Sequence, residues 1–250
     1  MGSFRELKNI QIIILGLCLV VATITSTVIL SKAFIQIKKF TSEVISVTGS
    51  AEKKIVSDYT VWVSAFTRRD QQMTVAFKKL EEDLKKVKKY LLSKGIKEDE
   101  IVVSQVETKV LYKKNEKGYD TNDIKGYLLY QEAEVRSYDV KKVDSIARQS
   151  TELINQDIQF ISSAPKYFYT KLAELKVEML AKATENAKKR AKSMAGSTGN
   201  RIGLMRSARM GIFQITPVNS YNVSWYGNND TSSYDKKVTA VVNATFAIKE

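Results

Sequence analysis

The chain has 250 residues, 44% of them hydrophobic and 27% charged, with only two prolines; this excludes long disordered tracts and allows one large core or two small ones. It sets 40 basic residues against 27 acidic ones, a net +13, and holds no histidine, which removes the commonest general base, the usual zinc ligand and the base of Ser-His and Cys-His catalysis. A single cysteine, Cys18, excludes internal disulfides, CxxC redox chemistry and Cys-rich metal sites.

From Asn9 to Ser31 the stretch "NIQIIILGLCLVVATITSTVILS" carries no charge over 23 residues, enough for a helix to cross about 30 Å of hydrocarbon. Residues 9–31 are therefore expected to enter a membrane. An uncleaved anchor is favoured over a cleaved signal peptide, because signal-peptide cores run about 7 to 15 residues. The competing reading keeps Ser31-Lys32-Ala33 as a cleavage site. Arg5 and Lys8 flank one side of the run and Lys32, Lys38 and Lys39 the other, so charge counting leaves the orientation open. Residues 1–40 are read as a cytoplasmic tip, anchor and linker, and residues 41–250 as one domain. That remainder keeps 35 basic against 26 acidic residues, +9, a surplus that would favour anionic partners such as phospholipid headgroups, nucleic acid or acidic envelope polymers, although a solvated lysine-rich surface is the leading reading of such charge.

Past the anchor, Ser57 to Thr67 is β-branched and aromatic, as a strand should be. Met73, Ala76, Phe77, Leu80, Leu84, Val87 and Leu91 recur at helical spacing, with lysines and acids expected on the other face and Gly95 placed to end the helix. Strands are expected at Ile101–Tyr112 and Gly126–Tyr138, joined by a long exposed polar tip, "KKNEKGYDTND". A short helix around Val140–Asn155, a strand around Ile158–Ala164, a helix from about Lys171 to Ala195 and a strand from about Arg201 follow. In the closing strand Val238, Ala240, Val242, Ala244, Phe246 and Ile248 fall on one face, and Thr239, Asn243 and Thr245 on the other. Strand, helix and paired strands thus occur twice, in pattern and not in letters. The fold class is α+β, antiparallel sheets packed with two long helices, with an internal strand-helix-strand duplication as the finer reading.

Ala183, Ala187, Ala191 and Ala195 lie four apart and share one helix face, and so small a row lets the backbone approach a neighbour more closely than leucines allow. Leu172, Met179 and Met194 are expected to supply the larger contacts beside it. Gly196 suits the left-handed cap, and Gly199 and Gly203 the turn back into a strand. A phosphate-binding loop would place its glycines before a helix, whereas these follow one.

In order and spacing these segments resemble the SIMPL-domain proteins, which include periplasmic immunogenic and oxidative-stress-defence proteins of bacterial envelopes. The likeness spans most of residues 43–249. It begins at "VISVTGSAEKKIVSDYTVWVSAF" with Gly49 and Asp58, continues at "GYLLYQEAEVRSYDVKKV" with Gly126, Tyr127 and Asp139, and ends at the Ala-rich helix, Gly199, Gly203 and the final strand. Ser57 stands where the family usually has a proline. The resemblance implies an exported α+β domain on the extracytoplasmic side of the bacterial inner membrane, and a tendency to self-associate as a homo-oligomer. It implies no catalytic residue, no metal and no cofactor.

Three local features bear on chemistry. Ser50 to Lys53 and Ser163 to Lys166 both satisfy S-x-x-K, in which an amine activates a serine without histidine, but the companion S-D-N and K-T-G elements are missing. The acidic residues of "NEKGYDTND" lack EF-hand spacing. Val218 to Lys237 sets Tyr221, Trp225, Tyr226 and Tyr234 among Asn, Ser, Gly and Asp, a loop suited to holding a partner subunit or an envelope glycan, beside a final strand expected to offer an unpaired edge. No RRM or OB-fold signature appears, so no nucleic-acid partner is expected. The leading expectation is a non-enzymatic envelope domain acting by self-assembly or binding; the alternative is an envelope enzyme with a Ser-Lys or carboxylate site.

Overall fold

The computed structural model describes the backbone of residues 3–220 and 224–249, and the side chains of 14–38, 43–220 and 224–249. In chain order its elements are α1 (Ser3–Ser42), β1 (Val44–Val56), β2 (Tyr59–Asp70), α2 (Met73–Ser93), β3 (Ile101–Val103), β4 (Glu107–Lys114), β5 (Asp120–Ser137), α3 (Val140–Gln149), β6 (Gln159–Ser162), β7 (Lys166–Phe168), α4 (Leu172–Gly196), β8 (Arg201–Met210), β9 (Gln214–Pro217), β10 (Asn228–Asn229) and β11 (Asp235–Lys249). They fall into two compact units, the smaller of Met1–Ala51, Leu180–Gly211 and Val241–Glu250, the larger of Glu52–Met179 and Ile212–Ala240.

In the larger unit β2 is the central strand. It pairs antiparallel with β5 from Thr60↔Ser137 to Asp70↔Tyr127, and on its other side with β6 and β7, while β3 and β4 pair with β5. Trp62, Phe66, Leu129, Ala133 and Val135 point from these strands into one core, closed by Ala76, Leu80, Val87 and Leu91 of α2 and Val143, Ile146 and Ala147 of α3. The Trp62 indole donates to Ser162 Oγ at 3.2 Å, and that hydroxyl donates on to the Ala147 carbonyl at 2.9 Å, so its one polar atom is satisfied inside the core. Gly126 stands where a Cβ would lie 2.7 Å from the Asp70 carbonyl oxygen, and the neighbouring Tyr127 packs against the core.

Three residues depart from the helical pattern of α2. Asp83 lies on the buried face, at 1% exposure, because it shares that face with Leu80 and Val87 and meets Arg68 in a two-pronged pair, Nε to Oδ2 at 2.5 Å and Nη2 to Oδ1 at 2.9 Å. Met73 and Phe77, at the first turns, are instead about half exposed.

Three other expectations change in this unit. The strand expected at Ile101–Tyr112 is broken into β3 and β4. The polar tip is short, because β4 and β5 extend into it and leave an Asx turn: Asn115 Oδ1 accepts from the Lys117 and Tyr119 amides, and Gly118 takes φ +84°. The helix after Val140 ends at Gln149 and tightens into a 3-10 turn over Ser150–Gln156. Asp58, which the resemblance marked, fixes the entry to α4: its carboxylate accepts from the Thr170 amide at 2.7 Å and hydroxyl at 2.8 Å. Beside it the Ser57 amide donates to the Tyr234 carbonyl at 3.0 Å, a bond that proline has no N–H to make.

In the smaller unit β11 runs between β1 and β8, antiparallel to β8. The alanine row of α4 is fully buried, and the reason is Gly49 of β1. A Cβ built on Gly49 would lie 2.2 Å from the Ala183 carbonyl oxygen, 2.4 Å from the Ala187 nitrogen and 2.6 Å from the Ala187 Cβ. Here helix backbone meets strand backbone, and Gly49 has no room even for a methyl group. Asn186 Oδ1 accepts from the Ser50 amide, and Arg190 Nη1 donates to the Thr48 carbonyl, which fix the register of this contact.

Within α4, Leu175 and Met179 are the large buried residues; Met194 is 53% exposed, and Leu172 only half-buried. The left-handed residue after α4 is Gly199, φ +80°, and not Gly196, which still belongs to the helix. The alternation along β11 holds to Phe246 and then slips, since irregular pairing with β8 after Thr245 buries Ala247 in place of Ile248. Nor does β11 offer a free edge, because it is paired on both sides.

Candidate functional site

Helix α1 has one apolar run long enough to cross a membrane, Ile14–Lys38, 25 residues. Its hydroxyls bond within the helix: Thr23 donates to the Val20 carbonyl, Thr25 to Val21 and Thr27 to Thr23, which removes the cost of bare hydroxyls in hydrocarbon.

In the larger unit the aromatic segment has an ordered base. Strand β9 pairs with the first half of β11 and, in parallel, with β10. The side-chain amide of Gln214, a buried residue, clamps Ser224 from both sides, Nε2 donating to its carbonyl at 2.7 Å and Oε1 accepting from its amide at 3.3 Å. The chain then reverses through Gly227, φ +89°, whose amide donates to the Ser224 carbonyl at 3.1 Å. This turn leaves Trp225 91% and Tyr226 98% exposed, side by side. Of the four aromatic residues marked in the sequence, Tyr221 lies outside the described residues. Tyr234 is half-buried: its ring stacks edge-on against Tyr167, with centroids 6.1 Å apart, so it belongs to the support beneath the turn.

That support contains groups the sequence reading passed over. Lys236 is buried at 2% exposure and donates through Nζ to the Tyr167 carbonyl at 2.5 Å; burial holds its pKa below the usual lysine value, against the charge of Asp230. Burial pushes the Asp230 carboxyl up, but hydrogen bonds from Ser232 and Ser233 outweigh it and leave the pKa lowered. Tyr167 donates to Asp144 Oδ1 at 2.7 Å, and burial together with that carboxylate raises it to about 12. Tyr167, Asp144 and Tyr234, with Val140, Lys141 and Arg148, line a hollow of 180 Å³. The alternation of β11 was itself a signal for Lys236, because it shares the parity of the buried Val238 and Ala240.

Neither S-x-x-K lysine meets a serine. Lys53 is paired with Glu178 at 2.7 Å, and Ser163 and Lys166 are exposed around the start of β7, with no hydrogen bond between their side chains among the described residues. No group of three or more acidic or cysteine side chains that could hold a metal occurs among the described residues.

Charge is distributed unevenly. Beyond residue 40 the smaller unit has nine basic and three acidic residues, and the larger unit 26 and 23; with the five and one of residues 1–40 these make the 40 and 27 of the chain. The smaller unit thus carries +6 in far fewer residues than the +3 of the larger.

Antiparallel sheets, one backed by α2 and α3 and the other by the alanine face of α4, together with one long apolar N-terminal helix, define an α+β protein with a single candidate membrane span among the described residues. The chain belongs to the SIMPL family, proteins of unknown function (DUF541), whose family model matches residues 45–246. No curated protein matches it.

Proposed function

We propose that the chain is a membrane-anchored binding module of the bacterial cell envelope, held by α1 with its domain on the extracytoplasmic side, which works by self-association through the Trp225–Tyr226 turn and not by catalysis. The observation that carries this reading is the turn itself. Two adjacent large aromatic rings stand almost wholly in solvent on a base pinned by Gln214 and Gly227. Rigid aromatic anchors are what interface cores are enriched in, because they bury much area at little entropic cost. Lys53, neutralised by Glu178, supports leaving a Ser-Lys nucleophile out of the account. The test is sedimentation equilibrium of the full chain in density-matched detergent. The unaltered chain is expected to sediment as an oligomer, and Trp225→Ser with Tyr226→Ser to move it towards monomer with an unchanged circular dichroism spectrum. An unaltered chain that is already monomeric at high micromolar concentration contradicts the reading.

A further inference from the structure

The junction between α1 and β1 leaves the smaller unit almost no freedom. The helix runs to Ser42, the strand starts at Val44, and only Glu43 lies between. From Lys38, where the apolar run ends, to Glu43 is five residues, about 7.5 Å at helical rise. The headgroup layer on each side of the hydrocarbon is of similar depth, roughly 5–7 Å.

The sheet places specific residues at that level. The Ile248 amide donates to the Glu43 carbonyl at 2.9 Å, and Ile248 and Lys249 of β11 pair with Ile202 and Arg201 of β8. Glu43, Lys249 and Arg201 therefore form a row across three strands at the end where α1 enters. Arg201 follows α4 after a four-residue turn, in which the Asn200 amide donates to the Ala195 carbonyl, so the end of α4 with exposed Lys188 and Lys192 arrives at the same end of the unit.

This row holds an unresolved electrostatic conflict. Arg201 and Lys249 are exposed, directly opposite on neighbouring strands, and neither has an ion pair among the described residues; like charges so placed destabilise a sheet. The Lys249 stem lies over Gly203, Cε 3.2 Å from the position of an added Cβ. No basic residue lies in the last turn of α4, so its dipole accounts neither for Lys188 and Lys192 nor for the Arg201–Lys249 pair.

We propose that Lys192, Arg201 and Lys249, with Lys188 behind them, form a docking surface for the headgroups of anionic phospholipids in the membrane that α1 enters. The proposal rests on the anchored reading above and adds the ligand class. Headgroup phosphates neutralise the opposed cations, and the short junction holds them within a screening length of about 8 Å at physiological salt. Each such cation strengthens association with an anionic surface about fivefold, so three together shift the docked-to-undocked ratio on the order of 100-fold.

The experiment uses the full chain carrying Cys18→Ser and Ser197→Cys, with bimane on the introduced thiol and nitroxide-headgroup lipid as quencher. It is reconstituted in vesicles of phosphatidylcholine alone or with phosphatidylglycerol. Quenching is expected to be deep in the phosphatidylglycerol vesicles, and to fall in phosphatidylcholine, in about 1 M salt where screening tightens to ~3 Å, and in the variant Lys192→Gln, Arg201→Gln, Lys249→Gln. Equal quenching in both lipids, or no change in the variant, while the chain stays in the membrane pellet, overturns the docking surface alone. A chain that a high-salt wash strips from the vesicles overturns the anchor and the docking surface with it.

Discussion

The two units solve the same problem, a helix on an antiparallel sheet, with opposite materials. The larger fills its interior with volume: Trp62, Phe66, Leu80, Leu91, Leu129 and Leu153 are all essentially sealed from solvent. The smaller closes the gap by bringing backbones together, Gly49 against Ala183 and Ala187. In the first case stability resides in what side chains fill, so truncation is the damaging change; in the second it resides in what is missing, so addition is.

The largest expected effect follows from removing volume in the larger unit. Trp62→Ala leaves a cavity and strands the Ser162 hydroxyl network, at a cost of about 3–5 kcal/mol, read as a lowered thermal midpoint of the full chain in detergent. A loss below about 1 kcal/mol there means the core collapses around the gap and the contrast is weaker than drawn.

Adding volume in the smaller unit comes next. Gly49→Ala puts a methyl group within 2.6 Å of three helix atoms, two of them backbone. Because backbone cannot rotate away, it is expected to lower the midpoint more than Ala187→Leu, which costs about 1–3 kcal/mol. Unchanged melting of both variants would show that α4 can lift off β1 freely.

The smallest effect is a pH dependence. The folded Tyr167 holds its proton up to about 12, through burial and Asp144, whereas an unfolded tyrosine loses it near 10. The unfolded state therefore binds fewer protons between pH 10 and 12, and the contribution of Tyr167, complete below pH 10, is lost as pH rises through that window. Tyr167→Phe should make the fall in stability between pH 10 and 12 shallower than in the unaltered chain. An identical slope would show that other groups control the alkaline transition.

How much of this could be read from the chain follows from the range of each signal. Helices α2 and α4 and the apolar run were legible because 3.6-residue periodicity and absence of charge are local properties. The alanine row announced close packing, but its partner did not: Gly49 and Ala183 are 134 positions apart, and only the fold joins them. Asp83 was read as a solvent-facing acid because its burial depends on Arg68, on another element. The irregular pairing that turns Ile248 outward and Ala247 inward belongs to the match between two strands, and neither strand states it alone. At the candidate site, Trp225 and Tyr226 stood out by residue type, while the Gln214 clamp that makes them a fixed feature did not, since a glutamine's partners are not written beside it.

The most direct test of the account is photo-crosslinking in intact cells, with benzoylphenylalanine placed at Tyr226, 98% exposed, and at Lys89 on the outer face of α2 as the control position. Self-association through the aromatic turn predicts a membrane-bound adduct of twice the chain's 28.2 kDa from position 226 and none from position 89. Equal yields from the two positions, or no adduct from position 226, would contradict it.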